Sequence, residues 1–196
     1  MLIFNCKIRH YRDRLKHCHL IATYAPLYNY EYSMIRLLLA LTLPLYLIDQ
    51  VTKLTIINKL SYHEQIEVIP GFFNLVRVHN TGIAFGQFNE GAGSNVIFTV
   101  VAVCALILIS FLWKKGHFPG ALNNIAVALL ISGIIGNLTD RIWHGYVVDF
   151  LDFHISGNHW PSFNVADSCI CIAAGLLFIA AFRPVEKTSE NNPDSH

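Results

Sequence analysis

Charge is scarce in this chain. In 196 residues there are 14 Lys and Arg against 13 Asp and Glu, and they cancel to a formal net charge of +1. A nucleic-acid binder carries a larger basic footprint, so no partner of that kind is expected. Metal-site cysteine spacing is also missing: Cys6, Cys18, Cys104, Cys169 and Cys171 form no ligand pattern. The last three fall in apolar runs, where a thiol acts as a small hydrophobe. No disulfide framework is inferred, and cysteine usage leaves the cellular compartment open. There is no HExxH helix and no G-x-S-x-G elbow, which removes the commonest zinc-peptidase and serine-hydrolase signatures. Residues 1–33 hold no apolar segment followed by a small-residue cleavage site, so no secretory signal is read there.

Apolar residues, in contrast, make up 54% of the chain, with a mean hydropathy of +0.44. They gather into four runs: Ile35 to Ile57, Asn95 to Trp113, Ala121 to Leu138 and Val165 to Phe182. Each approaches the roughly 20 residues a helix needs to cross hydrocarbon. The expected fold is therefore mainly α, a polytopic membrane protein of four transmembrane helices. Pro44 should bend the first helix. Ser132 and Gly136 form a small-xxx-small pair on the third, which permits close helix approach.

Arg36 precedes the first run, Lys114 and Lys115 follow the second, and Arg183 and Lys187 follow the fourth. The positive-inside rule makes those ends cytoplasmic, and with them both termini. Residues 58–94 and 139–164 are then the outer connections. In the first, "IEV" and "NLVRV" alternate like strands around a Pro70-Gly71 turn, predicting a small extracytoplasmic sheet at the outer membrane face. Residues 139–164 are read as an outer loop.

Three domain-level regions are expected. Residues 1–33 are a basic extension (Lys7, Arg9, Arg12, Arg14, Lys16), read as upstream of a working start at Met34. The alternative is a cytoplasmic tail drawn to anionic lipid. Residues 34–184 are the four-span unit, and 185–196 a polar, disordered tail.

The reactive candidates sit in or beside the outer connections. Asp149 and Asp167 lie 18 positions apart in a segment that leaves the membrane surface and returns to it. Two close carboxyls tend to share one proton, leaving one base for water and one acid for a carbonyl oxygen. The plainer role for Asp167 is a helix N-cap. Arg141 could pair with Asp140 or Asp149 in a dry setting, or simply fix helix ends. Asn80, Asn137 and Asn164 offer amides that could orient a peptide, although "HNTG" also suits a turn. Asp49 and Lys53 stand in the favourable i, i+4 order and read as a structural pair. His144, His154 and His159 lie near Asp149, Asp152 and Asp167, but their spacing matches no metalloprotease helix, and a metal site is not expected.

Taken together, "DQVTK" (Asp49–Lys53), "NTGIAFG" (Asn80–Gly86), "GNLTDRIWHGYVVDF" (Gly136–Phe150) and "FNVADS" (Phe163–Ser168) resemble the lipoprotein signal peptidases, the signal peptidase II family of bacterial membrane aspartic proteases. The four motifs occur in that family's order over residues 34 to 184. The resemblance implies an endopeptidase that removes signal peptides from diacylglyceryl-modified prolipoproteins, cutting before the lipidated cysteine. It assigns Asp149 and Asp167 as the catalytic pair. It places Asn80, Asn137, Arg141 and Asn164 along the site, with Asp49 and Asp140 as supporting acids. Prolipoproteins and membrane lipid are the implied partners, with no obligate protein partner and no metal or organic cofactor implied. The implied location is the bacterial inner membrane, with the active site facing outward. The competing class is a small proton or cation transporter using Asp49, Asp149 and Asp167 as ligands.

Overall fold

The computed structural model describes residues 35–82 and 92–182. The expected N-terminal extension and polar tail, together with residues 83–86 of "NTGIAFG", lie outside them.

Helix α1 is Leu43–Lys59, and a π-helical turn, Leu38–Thr42, leads into it. Pro44 falls where the π turn gives way to the α-helix. A proline has no N–H to donate to the preceding turn, and an i→i+5 turn just before it accommodates that loss. The expected bend therefore takes the form of a local change in winding. Helices α2 (Ala92–Lys114), α3 (Ala121–His144) and α4 (Val165–Ala181) follow. Among the described residues, three stretches are long and apolar enough to cross a membrane: Ile35–Lys59, Gly93–Lys114 and Ala121–His144. Helix α4 is equally apolar but has 17 residues.

Small side chains on α3 let its neighbours come close. A Cβ on Gly136 would lie 2.7 Å from Asp49 Oδ2 of α1 and 3.0 Å from Ala166 Cβ of α4. One on Gly133 would run into the carbonyl oxygen of Ala166. Ser132 uses its place in the pattern differently. Its Oγ donates to the Thr42 carbonyl (3.2 Å), while Thr42 Oγ1 donates to that of Ala128 (2.9 Å). Two hydroxyls so clasp α1 to α3 inside an apolar setting. One turn earlier on α3, Trp113 Nε1 donates to Asn124 Oδ1 at 2.6 Å and joins α2 to α3. Helix α2 presents Val96, Ile97, Val100, Ile107 and Leu108 outward, an apolar surface suited to lipid.

The sheet is larger than "IEV" and "NLVRV" alone predict. Strands β1 (Gln65–Ile69) and β2 (Phe73–Asn80) do form, separated by the turn at Gly71, whose φ is +72°. They are joined by β3 (Val147–Ile155) and a short β4 (Asn158–His159), in the antiparallel order β1-β2-β3-β4. The stretch read as an outer loop thus contains the longest strand. Two acids in "VVDFLDFHI" mask its apolar content, yet Val147 to Phe150 are buried in succession because β3 is covered on both sides. Val148 and Phe150 pack with Ile56 and Leu60 at the end of α1. Gly145, left-handed at φ +80°, ends α3 and turns the chain into this strand.

Candidate active site

Five elements deliver the polar residues to one end of the helix bundle. Helix α1 contributes Asp49, Gln50 and Lys53; α3 contributes Asn137, Asp140 and Arg141; β2 and β3 contribute Asn80 and Asp149; and the start of α4 contributes Asn164 and Asp167. The register places Val78 opposite Asp149 and Asn80 opposite Val147.

Asp149 is 2% exposed, and both its oxygens accept amide hydrogens. Asn164 Nδ2 donates to Oδ1 at 2.7 Å and Asn80 Nδ2 to Oδ2 at 3.0 Å. Burial, then the neighbouring charge of Asp167, push its carboxyl up to about 7, against the two amide bonds that favour the anion. Asp167 is only partly buried. It accepts from Asn137 Nδ2 at 2.7 Å on Oδ1 and from the Asn164 backbone N–H at 3.3 Å on Oδ2. Asn164 Nδ2 also reaches Asn137 Oδ1 at 3.2 Å, so an unbroken amide chain links the two aspartates.

Beneath this pair lies a dry ionic cluster. Lys53 Nζ, on a side chain 2% exposed, is 2.8 Å from Asp49 Oδ2, 2.9 Å from Asp140 Oδ2 and 3.1 Å from Asn137 Oδ1. Gln50 Nε2 donates to Asp49, to Asp140 and to the Gly136 carbonyl at 3.1–3.2 Å. Asp49 Oδ1 accepts the Ala166 N–H (2.8 Å), and Asp140 Oδ2 accepts the Val148 N–H (3.1 Å). Buried charge survives in such a place only when paired and hydrogen-bonded throughout.

The structure refines several expectations. Asp167 is not an N-cap: Asn164 holds that position, and Asp167 closes a reciprocal capping box from N3. Asn80 both makes the turn, accepting the Gly82 N–H at 2.8 Å, and donates to Asp149. Arg141 forms no ion pair with Asp140 or Asp149 among the described residues. Successive helix positions point about 100° apart, so Asp140 faces α1 and Lys53 takes it. Arg141 instead donates from Nη1 to the Asn137 carbonyl (3.3 Å) and lies 5.5 Å from the Phe98 ring centroid. It still feels the attraction of Asp167, Asp149 and Asp140. The Asp49–Lys53 pair exists, but it is the core of the cluster rather than a peripheral anchor. Gln50, and Lys53 as a ligand of Asn137, were missed; the only signal was an uncompensated cost, polar groups set in an apolar run. His159 Nδ1 meets Asp152 at 2.9 Å and its ring stacks on His154, whereas His144 stacks on Tyr146 before β3.

Apolar helices that carry two coupled carboxyls at one end define an integral-membrane protein of the paired-aspartate class. The chain belongs to the signal peptidase II family: the model for "Signal peptidase (SPase) II" matches residues 41–183. It is 41% identical to a lipoprotein signal peptidase of Alteromonas mediterranea over 148 residues, 75% of this chain and 81% of that one. To the lipoprotein signal peptidase of Janthinobacterium sp. (strain Marseille) it is 45% identical over 144 residues, covering 73% and 86%. A crystallised bacterial membrane enzyme solved by the in meso method at 1.9 Å shares the fold. Its TM-score is 0.68 at 32% identity, over 76% of this chain and 94% of the other.

Proposed function

We propose that residues 34–184 form a membrane-embedded aspartic endopeptidase with Asp149 and Asp167 as its catalytic pair. It removes signal peptides from diacylglyceryl-modified prolipoproteins, cutting before the lipidated cysteine. Family membership supports the activity. The observation that carries the residue assignment is the amide chain coupling a buried Asp149, whose carboxyl is pushed to about 7, to a more open Asp167.

The chemistry follows from that asymmetry. Buried Asp149 holds the shared proton, and Asp167 is the base. Asp167 takes a proton from water as the water oxygen attacks the scissile carbonyl carbon, and Asp149 gives its proton to the carbonyl oxygen. On collapse of the resulting diol, Asp149 recovers a proton and Asp167 passes its own to the departing amine. Water is consumed, the C–N bond breaks, and the pair returns to its starting state. Asn80, Asn137 and Asn164 keep the carboxyls in place, and Arg141 supplies positive potential beside them.

In this reading α4 is the fourth span, both termini are cytoplasmic, and the sheet rests on the outer face of the bacterial inner membrane. The basic residues at Arg36, Lys114 and Lys115 support that orientation. Acyl chains of the substrate lie among the helices, and no obligate protein partner is required. Nothing in the fold or among the relatives favours a transporter: the acids are engaged in internal bonds at one end of the bundle. The test is cleavage of a lipidated prolipoprotein by the purified enzyme, with the unlipidated precursor as control. Equal cleavage of both would refute the lipid requirement.

A further inference from the structure

Three asparagine amides face the two aspartates, and each is oriented from behind by a group that can only donate. Asn80 Oδ1 accepts the Gly82 N–H at 2.8 Å, so its Nδ2 must point to Asp149. Asn164 Oδ1 accepts the Asp167 N–H at 2.9 Å, which turns its Nδ2 to Asp149 as well. For Asn137 the orienting donor is not backbone but the Lys53 ammonium, 3.1 Å from Oδ1, and Nδ2 is thereby aimed at Asp167. Among the described residues, the one other donor to that Oδ1 is Asn164 Nδ2, at 3.2 Å. That group has two hydrogens for three acceptors, since Asp149 Oδ1 lies at 2.7 Å and the Val148 carbonyl at 3.3 Å. Without Lys53, the Asn137 amide is oriented only by Asp167, which stops being purely an acceptor once it takes a proton, and by the shared Asn164 hydrogen.

The remaining two donors of Lys53 extend the same logic. Asp49, which it holds at 2.8 Å, accepts the N–H of Ala166, the residue before Asp167. Asp140, held at 2.9 Å, accepts the N–H of Val148, the residue before Asp149. A lysine that only anchored its own helix would need the i, i+4 partner and no more. This one has spent every donor on groups one bond removed from the reacting pair.

We propose that Lys53 is a positioning residue of the peptidase reaction: it fixes the polarity of the Asn137 amide toward Asp167 and, through Asp49 and Asp140, seats the backbone beside both aspartates. This rests on the catalytic assignment above. The charged groups facing the pair are Asp49 and Lys53 of α1 and Asp140 and Arg141 of α3. With the Asn137 N–H withdrawn, the pair takes up its second proton more readily.

Lys53→Met alone strands two buried acids and can fail to fold. The informative variant is Lys53→Met/Asp49→Asn, which keeps the net charge of the cluster at −1. It is combined with Asn137→Leu in a double-mutant cycle. The assay is cleavage of a lipidated prolipoprotein by purified enzyme across pH, with thermal unfolding as the check on folding. Expected is a kcat reduced about 10-fold or more, a KM within about twofold, and an acidic limb moved to higher pH. Adding Asn137→Leu should cost nothing further. A folded variant with unchanged kcat and limb overturns the proposal, and so do losses that multiply across the cycle. Failure of the catalytic assignment looks different: Asp149→Asn or Asp167→Asn would cleave at the wild-type rate with Lys53 intact.

Discussion

The two ends of β3 are held by different means. Near Asp149 the strand is fixed by directional bonds: an N–H to Asp140 at Val148, and two amides on the Asp149 carboxyl. Toward Phe153 rings are added to a buried hydrogen bond, Asn74 Nδ2 donating to Asp152 at 2.9 Å. Phe153 stacks on Phe73 at 4.7 Å and meets Phe72 edge-on at 5.5 Å, while Phe163 lies at 5.8 Å. Beside them opens a cavity of about 480 Å³ lined by Phe72, His154, Trp160 and Phe163. Ring contacts tolerate small displacements; a carboxyl that must exchange a proton with its neighbour does not. The end that carries the proposed catalytic pair rests on directional bonds, whereas the other adds ring packing to a buried polar pair.

Changes at the reacting end should have the largest effect. Asp149→Asn and Asp167→Asn are each expected to lower kcat about 10³-fold or more with insertion and folding preserved, read in a purified cleavage assay. Next comes Arg141→Ala, expected to lower kcat/KM about 10-fold, since positive potential and a brace on the Asn137 carbonyl are lost together. Equal activity and melting temperature for that variant and the wild type would contradict it.

A pH measurement separates the ends in another way. The Asp149 carboxyl rises from its ordinary 3.8 to about 7 because burial, then Asp167, disfavour its charge. The folded state therefore binds this proton more tightly than the unfolded one. The associated stability is complete below pH about 3.8 and is lost as pH climbs through about 7. Asp149→Asn should flatten the melting-temperature profile over that interval, and an unaltered slope would show that Asp149 is not the group responsible. Activity, which needs one proton on the pair, should follow a bell.

At the ring end, Phe153→Leu is expected to cost about 1 kcal/mol of stability while kcat stays within about twofold. A large kcat loss with intact folding would mean that the two ends are mechanically coupled. The smallest expected effect is none at all: excess EDTA, and alanine at His144, His154 and His159, should leave cleavage in place. Zinc-restored activity after chelation would overturn the paired-carboxyl mechanism.

What could be read from the residues divides along the same line. Apolar runs announce the helices because composition alone sets their solvent, and the four ordered motifs point to the proposed site residues. The i, i+4 pair Asp49–Lys53 is legible because helix geometry makes those neighbours local. Asp140 and Asn137 as ligands of Lys53 are not, since they arrive from 87 and 84 residues away and depend on how α3 packs on α1. The absence of a side chain at Gly136 permits that approach, and its significance emerges only beside Asp49. Strand β3 went unrecognised for a related reason. Its acids look like loop chemistry until the groups that satisfy them are brought near.

Asn164 carries a consequence for how this enzyme can change. Its one side chain starts α4 through the capping box, donates to Asp149 and reaches Asn137. A replacement that altered the chemistry would also unseat a helix, at a cost of about 1 kcal/mol from the cap alone. An inhibitor that gripped these amides would meet a target whose routes of mutational escape pass through misfolding. Resistance would have to arise elsewhere, at side chains that touch the compound but hold up nothing else.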